Sequence, residues 1–142
     1  MEKNNLVRRS HCAISSALEV IGDRWSLIIL RDLMFTEKRS YGELQSCEEK
    51  IATNILAARL VALEENGIIY KITDPENGRR SLYYLTEKGI DLLPVIIELR
   101  KWMEKHDADV EPCQYQLSFT NASRAKVLSA YQDKLRKLHI TG

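Results

Sequence analysis

The chain has 142 residues, enough for one domain with a modest core. With 44% hydrophobic and 29% charged residues it reads as an ordinary globular protein; a net charge of +1 neither points to nucleic acid nor excludes it, so any charge argument must be local. No apolar run approaches the roughly 18 residues of a membrane span, and MEKNNLVRRSHC lacks the apolar stretch of a secretory signal, so a cytoplasmic location without a membrane partner is expected.

HCAISSALEVIG carries Ile14, Leu18 and Ile21 at helical spacing and stops at Gly22. In DRWSLIILRDLMF the apolar residues nearly encircle a helix, which predicts a central core element. SYGELQS reads as a short helix, with Ser40 as N-cap and Glu43 at capping-box spacing. KIATNILAARLVALEEN is the strongest amphipathic signal: Leu56, Leu60 and Leu63 form one stripe, and Gly67 ends the helix. IIYKIT and SLYYLT are β-rich runs joined by DPENGRR, where Asn77-Gly78 is the expected turn. Thr86 caps a further helix over EKGIDLLPVIIELRKWMEKHD, which Pro94 should kink. Residues 108 to 119 read as a linker and NASRAKVLSAYQDKLRKLH as a final helix.

A lone two-stranded hairpin is marginal and must pack on helices. Three helices followed directly by such a hairpin is the order of a winged helix-turn-helix, a mainly α (α+β) fold with one wing. Residues 1–107 are expected to form the DNA-binding and dimerisation domain. Residues 108–142 are expected to supply a linker and a helix packed on that domain or on the dimer interface.

With the leucine stripe inward, Thr53, Asn54 and Ala57 face outward near the N-terminus of the amphipathic helix. Such residues suit base edges and a thymine methyl in a major groove, and Arg59 lies lower, within reach of a phosphate or guanine. The competing reading is a solvated helix face. Arg79 and Arg80 follow a turn that also holds Asp74 and Glu76. They belong either to a wing that grips the minor groove or phosphates, or to a hairpin tip of balanced charge. Strand alternation sends neighbouring arginines to opposite sides, so one of them should dominate. Lys71 and Lys38 or Arg39 are further phosphate candidates. Ser40 and Tyr41 join the DNA-binding candidates, Tyr41 with a core aromatic as its alternative.

The helix after the hairpin carries more apolar surface than one small core needs, which suits a homodimer interface, or a monomer whose last helix covers the surplus. His11, His106 and His139 are far apart, and no phosphate-cradling Gly-rich loop occurs; no catalytic residue, metal site or cofactor is expected. Cys12, Cys47 and Cys113 are odd in number and lack metal-type spacing, so free thiols are expected. His11 with Arg8 or Arg9 would lower the pKa of Cys12 and make it a redox-sensing candidate; the alternative is an inert thiol.

Several motifs occur in order between residues 11 and 105: a cysteine before the first helix, Gly22-x-Arg24-Trp25, Arg59-Leu60-x-x-Leu63-Glu64, Leu85-Thr86-x-x-Gly89 and Leu93-Pro94. In these the chain resembles the HxlR-type transcriptional regulators, a branch of the MarR-like winged-helix proteins. The resemblance implies a homodimeric, cytoplasmic regulator of bacterial or archaeal type that binds double-stranded DNA. It also implies a dimer built from the first helix and the helix after the wing. In some members the N-terminal cysteine senses oxidants or electrophiles, and Cys12 matches that position. A small-molecule effector is a further candidate partner. The chain departs from the family in Ala52, Ala57 and Ala58 on the recognition helix, in the acidic pair Glu48 and Glu49, expected to point away from phosphate, and in its longer tail. The rival is a winged-helix protein-interaction module with weak or no DNA binding, favoured by the near-neutral charge and these alanines.

Overall fold

The computed structural model describes residues 8–111 and 123–140. Helix α1 (Ala13–Ile21) leads into α2 (Ser26–Phe35). Between them the Asp23 carboxylate accepts the amides of Trp25 and Ser26, each at 2.9 Å. It thereby satisfies donors that the start of α2 would otherwise leave open. Helix α2 is the central core element expected from its encircling apolar residues: Ile29, Leu30, Leu33 and Met34 are all buried. The short α3 (Tyr41–Gln45) carries the full capping box. The Ser40 hydroxyl accepts the Glu43 amide at 3.2 Å, and the Glu43 carboxylate accepts the Ser40 amide at 3.1 Å.

Helix α4 (Thr53–Glu65) buries Leu56, Leu60 and Leu63 on one side. It ends in a Schellman motif, with the Gly67 amide on the Glu64 carbonyl and the Ile68 amide on the Leu63 carbonyl, both at 3.0 Å. Gly67 sits at φ +70°, the left-handed region that glycine enters without cost to a Cβ.

The wing pairs β1 (Ile69–Asp74) with β2 (Asn77–Leu85) in antiparallel fashion. Its turn differs from the expectation. Pro75 and Glu76 make it, and Asn77-Gly78 already belongs to β2. The reason is local: the Asp74 carboxylate accepts the Glu76 amide at 2.9 Å, an Asx turn, and the ring of Pro75 fixes its own φ at the first central position of the turn. Regular register runs from Ile69 opposite Leu85 to Thr73 opposite Ser81, then shifts so that Asp74 faces Asn77. Gly78, Arg79 and Arg80 are thereby left as a bulge in β2 rather than at the loop tip. On its other edge β2 meets the segment before α3, where the Tyr83 amide donates to the Arg39 carbonyl at 2.8 Å.

Thr86 caps α5 (Glu87–Ile90) through its hydroxyl, which accepts the Gly89 amide at 3.2 Å. A break at Asp91 and Leu92 then separates α5 from α6 (Leu93–His106). The expected kink at Pro94 is therefore absent. Pro94 stands in the first turn of a new helix, where a missing N–H breaks no intrahelical bond. Helix α7 (Arg124–His139) folds back on the domain: Leu135 is buried, and the Tyr131 hydroxyl donates to the Met34 carbonyl at 3.0 Å. Most of the expected linker, with Pro112 and Cys113, lies outside the described residues. None of the described helices is long and apolar enough to cross a membrane.

Helix α5 approaches β1 so closely that a Cβ added at Gly89 would sit 2.3 Å from the Ile68 carbonyl oxygen. That carbonyl already accepts the Thr86 amide and hydroxyl and has little room to move. Gly89→Ala is therefore expected to lower the urea unfolding free energy by about 1–3 kcal/mol. An unchanged denaturation midpoint would show that α5 can shift away from the wing base.

Candidate nucleic-acid interface

The buried leucine stripe orients α4, and its opposite face is open. Thr53, Asn54 and Ala57 are all exposed on the first turns, as are Ala58 and Val61. No side chain caps the helix, since Ala52 occupies the N-cap position. Tyr41 does not stand free beside this face. Its hydroxyl donates to the Thr53 carbonyl at 2.5 Å, which ties α3 to the start of α4. Ser40 is buried, and its hydroxyl both accepts from the Glu43 amide and donates to the Glu43 carboxylate at 2.9 Å. Ser40 therefore holds α3 in place and presents no group outward.

The basic side chains divide into paired and open ones. Arg59 lies on the flank of α4, 3.6 Å from Asp23, the carboxylate that also serves the start of α2. Arg31 grips Glu49 through two hydrogen bonds of 2.7 and 2.9 Å and also contacts Asp32. Lys38 lies 3.6 Å from the same Asp32. Arg39 turns back on α2 and donates to the carbonyls of Thr36 and Lys38 at 3.0 and 2.6 Å, and its burial pushes its pKa down. The two sequence candidates Lys38 and Arg39 are thus occupied inside the fold.

Arg80 and Arg79 part ways. Arg80 reaches Asp74 at 2.7 Å, and Asp74 is only 5% exposed. The Glu76 amide, with Arg80 beside it, holds the Asp74 carboxyl below its usual range. Arg80 therefore closes the wing turn. Arg79 is exposed, and its guanidinium has no ion-pair partner among the described residues. Lys71 on β1 is likewise exposed. Lys50, in the connection between α3 and α4, was not singled out by sequence reasoning. It stands exposed at φ +58°, a left-handed conformation that no local motif in CEEK announces.

Hydrogen bonds from Arg31 lower the pKa of Glu49 to about 2. A carboxyl depressed in the folded state contributes stability above its unfolded value near 4.5, and that contribution is lost as pH falls through the folded value. Glu49→Gln is expected to cost about 0.5–1 kcal/mol at pH 7, with the gap to wild type closing between about pH 4.5 and 2. Denaturant titrations of both proteins across that range check the sign; a gap that widens in acid would contradict the pairing.

Cys12 lies exposed at the N-cap of α1. Its pKa is lowered by the nearby backbone amides of Ser15 and Ile14, which point toward the sulfur although no capping hydrogen bond is closed. These amides, rather than the expected neighbouring cations, are the cause; Arg9 instead pairs with Glu19 at 3.3 Å. Cys47 is buried.

A family model described as HxlR-like helix-turn-helix matches residues 20–111. The HTH-type transcriptional regulator sll1512 of Synechocystis is 32% identical over 102 residues, which covers 69% of this chain and 75% of that protein. The HTH-type transcriptional regulator YodB of Bacillus subtilis is 35% identical over 92 residues, 65% of this chain and 81% of YodB. The reduced form of YodB shares the fold with a TM-score of 0.57 and 31% identity, over 72% of this chain and all of that one. YodB structures with bound quinone and after diamide treatment also match. The redox regulator HypR in its oxidised form matches with a TM-score of 0.60 and 28% identity, over 70% of this chain and all of HypR. With the winged helix-turn-helix in place and a family model spanning it from the end of α1 through α6, this chain belongs to the HxlR-like helix-turn-helix family of transcriptional regulators.

Proposed function

We propose that the chain acts as a cytoplasmic homodimer that binds specific sites in double-stranded DNA and changes its grip when Cys12 is oxidised or alkylated. The observation that carries the DNA reading is the pairing of an open α4 face, at Thr53, Asn54 and Ala57, with a wing that leaves Arg79 exposed and without an ion-pair partner among the described residues. Thr53 and Asn54 would hydrogen-bond base edges, Ala57 would meet a thymine methyl, and Arg79 would contact phosphate or the minor groove. Arg59 would join them only by releasing Asp23.

Support for a dimer comes from apolar surface on two helices outside the reading head. Ile14 on α1 is 73% exposed, Trp102 on α6 is 61% exposed, and Leu18, Val95, Leu99 and Met103 extend these stripes. Two copies would place two α4 helices at half-sites about 34–36 Å apart. Genomic footprinting tests the whole reading. Discrete protected sites with twofold symmetry are expected; their absence, with no retention of duplex DNA at physiological salt, would overturn it. The second reading, a winged-helix module that binds protein, is favoured by the internal pairing of Arg31, Arg59 and Arg80 with carboxylates. Duplex binding at that salt discriminates the two.

Regulation at Cys12 is supported by its exposure, by the amides that stabilise its thiolate, and by relatives solved in quinone-bound, diamide-treated and oxidised states. An electrophile of the quinone class is the small-molecule effector these neighbours suggest. Diamide or quinone is expected to weaken duplex binding of the wild type by about tenfold and to leave Cys12→Ser unaffected. Equal sensitivity of the two proteins would exclude Cys12 as the sensor.

A further inference from the structure

Helix α7 lies outside the span that the family model matches, which ends at residue 111. Its last residue nevertheless reaches the base of the wing. His139 is 1% exposed, and its Nδ1 accepts the Leu85 amide at 3.1 Å. That amide shares the outer edge of β2 with the Tyr83 amide, two residues earlier, which donates to Arg39. An open strand edge is a liability, and here a backbone carbonyl and an imidazole close it in turn. The Tyr70 hydroxyl of β1 donates to the His139 carbonyl. The Tyr84 ring of β2 meets the imidazole edge-on at 5.8 Å and stacks on Tyr70 at 5.7 Å. One residue thus touches both wing strands.

The same face of α7, one and two turns earlier, is anchored in the body. Leu135 is buried in the common core, Tyr131 holds Met34, and Arg136 binds the Glu87 carboxylate at 3.0 Å. We infer that His139 is a positioning residue for the wing, and that α7 clamps β1 and β2 to the body so that Arg79 keeps a fixed place relative to α4. This inference rests on the DNA reading above. Burial, with the Arg39 charge added, pushes the imidazole down to about 4. The ring is therefore neutral at neutral pH and keeps a lone pair on Nδ1 for the Leu85 amide. Its Nε2 is buried and, among the described residues, closes no hydrogen bond of normal geometry beyond its approach to the Leu33 backbone, so a ring without nitrogens should be accommodated.

The test uses His139→Phe, which keeps a ring of similar volume without an acceptor, and His139→Gln, whose amide oxygen can accept the Leu85 N–H. In His139→Phe the Leu85 amide is expected to exchange with solvent about 100-fold faster by NMR, with the α2 amides unchanged and protection partly restored in His139→Gln. Binding to a random duplex of about 30 base pairs supplies the second readout. Arg79→Ala should cost several-fold in the wild type and less than about twofold in the His139→Phe background, because a displaced wing no longer presents Arg79. Unchanged Leu85 exchange in His139→Phe would overturn the clamp. A full Arg79 effect in both backgrounds would overturn the positioning role. If Leu85 is freed while Arg79→Ala is silent in the wild type, the DNA reading of the wing fails and the clamp stands.

Discussion

Leu56→Ala is expected to lower the unfolding free energy by about 3–5 kcal/mol, a large share of the roughly 5–15 kcal/mol that holds a domain of this size together. Leu56 is 0% exposed and lies one turn into α4, in the same core cluster as Leu60, Leu63, Ile68 and Leu30. Truncation removes the transfer free energy of the side chain and leaves a cavity that the surrounding helices fill only partly. The cost also reaches function. The buried stripe is what turns Thr53, Asn54 and Ala57 outward, so a loosened α4 would bind duplex DNA less tightly even when folded. Ala57→Ser, on the exposed face one residue later, is the control: a stability change within about 0.5 kcal/mol is expected. Urea titrations of both variants check the contrast. Similar losses for the two would mean that the helix is not oriented as described.

Arg79→Ala and Arg80→Ala are expected to differ in kind. Arg79 has no compensating carboxylate among the described residues, so its loss should weaken duplex binding by about 3–10-fold at physiological salt and lower the slope of log affinity against log salt by about one per protomer. Arg80 is already neutralised by Asp74, 2.7 Å away. Its removal should leave the salt slope nearly unchanged and act instead by loosening the turn at Pro75 and Glu76. Fluorescence anisotropy titrations at several salt concentrations separate the two. A larger slope change for Arg80→Ala would reverse the assignment and imply that Asp74 releases Arg80 on binding.

Much of this fold was legible in the chain because its signals are local. The capping box at Ser40 and Glu43, the Thr86 cap and the Gly67 stop each involve residues within a few positions of one another. The α4 stripe follows from helical periodicity alone. The wing was legible as two strands but not in its turn. Asn77-Gly78 is a strong turn dipeptide in isolation, yet the Asp74 carboxylate and Pro75 form a competing turn that won. Helical periodicity runs on through residues 91 and 92 and so predicts one helix kinked at Pro94, whereas the chain ends one helix there and starts another.

The candidate site was legible in outline and altered in detail. The faces of α4 depend on spacing alone, so Thr53, Asn54 and Ala57 lie where the sequence places them. Whether a cation is open depends on which carboxylate or carbonyl folding brings within about 4 Å, and such partners are remote in sequence. Arg59 meets Asp23 across 36 positions, Arg31 meets Glu49 across 18, and His139 meets Leu85 across 54. Helix boundaries, caps and buried stripes are properties of short stretches and survive in the sequence as patterns of one dimension. The division of the basic residues into latches and open contacts, and the seat of the last helix beneath the wing, arise only when distant segments share a core, because the energy of a charge or a buried ring is set by its neighbours in space.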